Sequence, residues 1–286
     1  MPPRPGRART RTGRFRAISG ALEALLSLRR MHASSLAILV ALLLSPGTVL
    51  GEDPACPADR RGERVVSARI FDGDTLALTD GRRVRLLGIN TPEIGRDGEP
   101  SEPYAEDAKA LLARLAGPGT RLRLRLDTQR FDRYGRLLAH VFANDGSNLQ
   151  ARLLEAGYAT TLVVPPNEWS VACYAAVEAR ARQKRTGIWG LEEYQPIPAE
   201  TLADTARGFR LVTGRVQRIG ESRANLWLNL SRRMAVRIPK DDLRYFGDLD
   251  PRRLAGRRLE VRGWIHERRG ELRITVRHPA ALTVLD

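Results

Sequence analysis

With 286 residues, 42% of them hydrophobic, the chain can build one large or two modest cored domains and is too apolar to be a disordered polymer. A net charge of +15, carried almost wholly by arginine, disfavours cationic partners and points to a polyanion, either nucleic acid or an anionic membrane surface. Residues 1–51 carry eight arginines against Glu23, residues 52–199 hold 21 basic and 21 acidic side chains, and residues 200–286 hold 19 and 11, so polyanion affinity is expected in the tail.

In chain order, residues 1–30 are arginine-rich without a sustained apolar pattern. Residues 36–44 form an apolar run too short to span a bilayer but right for the h-region of an export signal, with Val49-Leu50-Gly51 offering cleavage positions before Glu52. Met31 would open a leader of conventional length, so residues 1–30 read as an extension ahead of the true start. The expected product is a periplasmic or secreted monomer with no stable membrane span. In an oxidising compartment Cys56 and Cys173, the two cysteines, are expected to pair.

From Arg64 the pattern predicts a β meander with strands over 65–70, 76–79 and 82–89, the last two joined by the hairpin signal Asp80-Gly81. A helix is predicted over 103–116, stopped by Gly117-Pro118-Gly119. RLRLRLD at 121–127 alternates strictly and reads as a half-buried strand with an arginine outer face. A strand over 137–143 follows, then a helix capped by Ser147 and ended by Gly157, and a third helix over 168–185 with Tyr174, Val177 and Ala181 inward. Five strands with helices to one side predict a mainly β, α+β fold built on a small barrel.

The hairpin would bring Asp72 and Asp74 back beside Asn90, Thr91 and Glu93, with Arg85 on the return strand between them. Clustered oxygens hold a hard cation and a guanidinium holds a phosphate. Singly, each feature has an ordinary reading: Asp72-Gly73-Asp74 is turn composition, and Arg85 is a solvated strand charge. The four histidines have no metal-ligand spacing, so zinc chemistry is unsupported.

Asp-Gly-Asp-Thr at 72–75, Arg85-Leu86-Leu87 leading to Thr91-Pro92-Glu93, Asp132-Arg133-Tyr134-Gly135-Arg136 and Gly187-Ile188-Trp189 together resemble the staphylococcal nuclease, or thermonuclease, family over residues 64–190. The resemblance implies an OB-type five-stranded barrel with three helices and a Ca²⁺-dependent phosphodiesterase acting on DNA and RNA to leave 3′-phosphate ends. It places Asp74 and the Thr91 carbonyl at calcium-ligand positions, Asp72 beside the metal through water, Glu93 as the base or water-orienting carboxylate, and Arg85 and Arg136 on the phosphate. Two departures stand out. Asn90 occupies a position where a metal-binding aspartate is expected, so the site loses a charge. Leu162-Val163-Val164-Pro165 stands where nucleotide-packing aromatics are expected.

Residues 195–206 read as a linker between a nuclease-like domain over 52–194 and a tail over 207–286. Strands predicted over 211–219, 225–230 and 234–238, a polar helix over 240–254, and strands over 258–266 and 272–276 give the order of a second, smaller OB-like barrel. Its charge and Trp227, Tyr245, Phe246 and Trp264 suit a single-strand groove with stacking platforms, or equally a module that buries its aromatics. The rival to a nuclease is a non-catalytic nucleic-acid-binding protein of the cell envelope, against which the joint presence of Arg85, Glu93 and Arg136 counts.

Overall fold

The computed structural model describes Cys56 and residues 62–286, and the expected export signal lies outside them. Five strands close into the first barrel: β1 (Glu63–Ile70), β2 (Thr75–Leu78), β3 (Arg83–Leu86), β5 (Arg121–Phe131) and β6 (Leu137–Ala143), in the order β1-β2-β3-β6-β5. The short β4 (Ile89–Asn90) lies outside it. Alternation does the work in β5, where Leu122 and Leu124 point inward and arginines outward. By contrast β6 is buried along almost its whole length, because it runs between β3 and β5 and is covered by a helix.

Three helices pack on the barrel: α1 (Ala105–Ala116), α2 (Leu149–Glu155) and α3 (Val171–Gln183). Leu149, Leu153 and Leu154 of α2 are fully buried, as the apolar spacing predicts. The cap differs from expectation: Asn148, not Ser147, accepts from the Ala151 amide at 2.9 Å, while the Ser147 hydroxyl and amide are held by Asp145. Asn148 also meets the Tyr174 hydroxyl, which ties α2 to α3. The third helix begins at Val171, three residues later than predicted, since Ser170 takes a left-handed conformation.

The predicted strand 82–89 breaks at Leu87-Gly88. Gly88 has φ +80°, and a Cβ there would lie 2.6 Å from the Tyr174 ring, so only glycine lets the chain turn at this point. Beyond the turn β4 leaves the barrel and pairs with β7 (Thr160–Thr161), Asn90 opposite Thr160.

The expected disulfide is present: Cys56 and Cys173 are bridged, closing a sequence separation of 117. Replacing both with serine is expected to lower stability by up to about 5 kcal/mol in the chain-entropy model, read from urea unfolding, with a steeper slope because the unbridged denatured chain is more expanded. A loss below about 1 kcal/mol would show that the bridge constrains little.

After two short 3-10 turns and β8 (Ile197–Pro198), the tail forms β9 (Gly208–Arg215), β10 (Arg218–Glu221), β11 (Asn225–Asn229), β12 (Met234–Pro239), β13 (Arg258–Arg268), β14 (Glu271–Thr275) and β15 (Leu282–Val284). Their order is β10-β11-β12-β14-β13-β9-β8, with β12 and β14 parallel, as β3 and β6 are in the first barrel. Treating β9 and β10 as one strand bent at Val216-Gln217 gives the OB-like order predicted from the strand pattern. The polar helix predicted over 240–254 is instead two 3-10 turns, Lys240–Tyr245 and Pro251–Arg253. Gly247 and Pro251 interrupt any helix there, and a bidentate ion pair from Arg277 to buried Asp242 pins the first turn. Among the described residues no helix is long and apolar enough to cross a membrane.

The tail packs on α3 and β7. Arg262 of β13 reaches Glu178 of α3 and the Thr161 hydroxyl, and Arg182 makes two 2.7 Å hydrogen bonds to Glu260. Ala181, Ile188, Trp189 and Leu211 form a buried cluster at this contact. Trp189 is therefore core.

Candidate active site

Asp74 is the centre of the site. It lies at the start of β2, buried, with Arg85 opposite Thr75 on the neighbouring strand. One oxygen of its carboxylate meets the Arg85 guanidinium at 2.9 Å and accepts from the Thr91 amide at 3.2 Å, and the other accepts from the Thr75 hydroxyl at 3.1 Å. Burial pushes the Asp74 carboxyl above its usual range, Arg85 pulls it back, and Asp72 pushes it up again.

Asp72 is half-buried and accepts from the Asp74 amide at 3.0 Å, so the two acids share one tight turn. Gly73 between them is required by space. A Cβ at that position would fall 2.6 Å from Ala108 of α1 and 2.8 Å from Thr91, so the turn sits directly on the helix and on the next site residue.

The Gly88 turn brings Asn90 and Thr91 back over Asp74. Arg85 donates to the Ile89 carbonyl at 3.0 Å and to the Asn90 side-chain oxygen at 3.2 Å, and the Asn90 amide donates to the Thr91 carbonyl at 3.0 Å. Asn90 thus donates to one oxygen that a cation would use, and its own side-chain oxygen is already taken by Arg85.

Glu93 stands exposed at the rim. Its backbone is clamped by Glu102, through the Glu93 amide to the Glu102 carboxylate at 2.8 Å and the Glu102 amide to the Glu93 carbonyl at 2.9 Å. Partial desolvation raises the Glu93 carboxyl, and Asp74 and Asp72 raise it further, so the three acids face one another electrostatically.

Arg136 arrives from the turn before β6. Asp132 fixes it with a 2.7 Å ion pair to Nε, and Nη1 reaches the Thr75 hydroxyl at 3.4 Å. All seven residues singled out in the sequence therefore gather at one end of the barrel. Thr75, Asp132 and Gly73 were quoted there only as parts of motifs. Asp132 is the positioning residue for Arg136, and the available signal was Asp at the first and Gly at the fourth position of a turn, with Arg136 next.

Among the described residues no three His, Cys, Asp or Glu side chains form a metal cage by themselves. The donor set is two carboxylates, an amide oxygen and a main-chain carbonyl, all oxygen, as hard divalent cations require. Beside burial, Asp72 raises Asp74, and Asp74 and Asp72 raise Glu93, a repulsion that a bound cation would relieve, so these residues fit one.

The chain matches the family model described as staphylococcal nuclease homologue over residues 83–190. It is 34% identical over 134 residues to a thermonuclease of Staphylococcus intermedius, covering 46% of this chain and 79% of that protein. It is 31% identical over 155 residues to an uncharacterized endonuclease of Escherichia coli, covering 51% and 86% respectively. Endonuclease YncB of Bacillus subtilis is 35% identical over 131 residues, covering 44% of this chain and 61% of that protein. A five-stranded barrel of the expected order, its site residues at one end, and these similarities lead to one conclusion: the chain belongs to the staphylococcal nuclease family of metal-dependent nucleases.

Proposed function

We propose that this chain is an exported, Ca²⁺-dependent endonuclease that hydrolyses phosphodiester bonds of DNA and RNA and leaves 3′-phosphate ends. The observation that carries the reading is the convergence of Asp74, Asp72, Glu93, Arg85 and Arg136 on one face. Asp74, the Thr91 carbonyl, Asn90 and, through water, Asp72 would hold Ca²⁺, which when bound neutralises phosphate charge and acts as a Lewis acid.

Arg85, held on Asp74, and Arg136, reaching Thr75, would bind the non-bridging phosphate oxygens, most strongly as charge builds in the transition state. Glu93 would orient a water and take its proton as the oxygen attacks phosphorus. The bond to the 5′ oxygen breaks, that oxygen acquires a proton from solvent, and the phosphate stays on the 3′ side. A bridged cysteine pair agrees with an oxidising compartment.

The test is degradation of plasmid and of single-stranded RNA with Ca²⁺, with EDTA, and after Ca²⁺ is restored. Cleavage that stops with EDTA and returns with Ca²⁺, giving ends that a polymerase extends only after phosphatase treatment, is the expected result. Activity persisting in EDTA, or ends extended directly, overturns the reading.

Asn90→Asp is expected to tighten Ca²⁺ binding by about tenfold, read by calorimetry. It adds a charge and removes the donor that occupies the Thr91 carbonyl. Unchanged affinity would show that Asn90 lies outside the cation's reach.

A further inference from the structure

The outer face of the tail sheet is divided. Its β9–β13 end is covered by the nuclease barrel, through Leu211, Glu260 and Arg262. Past Arg262 the face opens, with Phe209 of β9 at the margin of the covered cluster and against the Trp264 ring, and the side chains there fall in cross-strand register. Trp227 of β11 lies opposite Arg237 of β12, Arg237 opposite Thr275 of β14, and Trp264 of β13 opposite Phe209 of β9. The three strand steps from Trp227 to Trp264 span about 14 Å at the usual sheet spacing.

This row floors two adjoining hollows. One, of ≈ 200 Å³, lies between Leu162-Val163-Val164 and Trp264, Phe209 and Arg277. The other, of ≈ 360 Å³, is lined by Trp227, Arg237, Arg268 and Arg273. His266 and Thr275 line both, so the two form one groove.

Its near end belongs to the active-site ribbon. Leu162 follows β7 directly and donates to the Gly88 carbonyl, and β7 pairs with β4, which carries Asn90. The groove therefore runs from the strand pair holding a site residue, past the segment that lacks aromatics, onto a face that supplies them.

We infer that this groove binds a single-stranded polynucleotide running out of the active site, with Trp264 and Trp227 as stacking platforms. The inference rests on the nuclease reading and adds a second contact region to it. Charge complementarity supports the occupant. Arg237 donates to the neutral Asn225 amide at 2.8 Å, and among the described residues neither Arg237 nor Arg268 is in an ion pair. The Arg273 guanidinium lies over the Trp227 ring, 4.9 Å from its centre, and is itself paired with Glu271 at 2.6 Å, so it covers and braces one face of that ring. Glu267, the carboxylate in the groove wall, is turned to the Gly270 amide at 2.6 Å. Aromatic rings set between cationic side chains on a sheet face suit bases that are already unpaired, whereas a duplex offers only its phosphates.

Two platforms from the sequence reading drop out or shift. Phe246 is 3% exposed and part of the tail core, and Tyr245 lies under Arg244 and lines neither hollow.

The experiment uses the full mature chain. Binding of labelled oligothymidylate of about 15 nucleotides, near the upper end of single-barrel site sizes, is measured in EDTA so that no cleavage intervenes. Cleavage of an oligonucleotide of about four nucleotides is measured with Ca²⁺. Trp227→Ala/Trp264→Ala is expected to weaken the long oligonucleotide at least tenfold, with short-substrate cleavage within about twofold of the parent. Trp227→Phe, which keeps a ring, should retain most of the affinity of the parent, and parent tryptophan fluorescence should be quenched on binding.

Unchanged long-strand affinity, absent quenching, or an equal loss for duplex of the same length overturns the groove. A dimer that dissociates in the double variant would assign the face to a second copy and also overturns it. If the parent fails to cleave even the short substrate, the nuclease reading fails while the binding result still decides the groove.

Discussion

Glu93→Gln is expected to lower the turnover number by about 100-fold or more, with KM and melting temperature close to those of the parent. The asymmetry follows from how Glu93 is held. Its position is set by backbone hydrogen bonds with Glu102, which glutamine preserves, and its side chain is exposed at the rim. Glutamine keeps the size and the hydrogen-bonding reach but cannot accept a proton from water. A change in which interactions are lost only in the transition state lowers kcat and kcat/KM together. Steady-state rates on one oligonucleotide check this, and a variant within threefold of the parent would remove Glu93 from the chemistry. Arg85 is a poorer probe, because Asp74 is buried against it and would be left without its cation.

The second large effect concerns stability. Arg262→Met is expected to cost about 3 kcal/mol, or roughly 6–12 °C in melting temperature for a folded region of this size. Arg262 bonds Glu178, the Thr161 hydroxyl and the Ala280 carbonyl at once, and Glu178 is 4% exposed. Removing the guanidinium leaves a buried carboxylate hydrogen-bonded only by the Thr161 amide and hydroxyl, with Arg182 acting on it electrostatically. Adding Glu178→Gln to Arg262→Met should recover much of the loss, since the uncompensated charge is then gone. Thermal and urea unfolding of both variants give the answer. A single-variant loss under about 1 kcal/mol would mean that water screens the pair.

The same contact shows where the sequence was readable. Local pattern revealed the strands of the first barrel, the α2 leucines and the Asp72–Glu93 convergence, because burial there follows alternation or helical spacing within a few residues. The fourfold motif then located Arg136, which no local pattern ties to Asp74.

Less legible was anything set by distant packing. Glu178 and Arg262 read as ordinary surface charges on their own elements, yet they meet across 84 residues. Gly88 looked like a residue inside a strand until the Tyr174 ring gave it a reason to be glycine. The 240–254 stretch had helix-like polarity but lacked an apolar stripe, and the Arg277–Asp242 pair that shapes it comes from outside the segment. Phe246 and Trp227 are both tail aromatics, yet the 3-10 turn over Lys240–Tyr245 folds Phe246 into the core while sheet register turns Trp227 to the outer face.

The cysteine bridge has a consequence for biosynthesis. With two cysteines in the chain there is one intramolecular pairing, so maturation needs an oxidant but no reshuffling of wrong bonds. Cys56 precedes its partner by 117 residues, which at typical elongation rates is roughly 6 to 23 seconds. Through that interval its thiol has no partner within its own chain, and the error open to it is capture by another molecule. Where the chain meets the oxidant as it is made, the yield of correctly joined protein is set by a race between synthesis and intermolecular exchange; where it meets it complete, both thiols are already present.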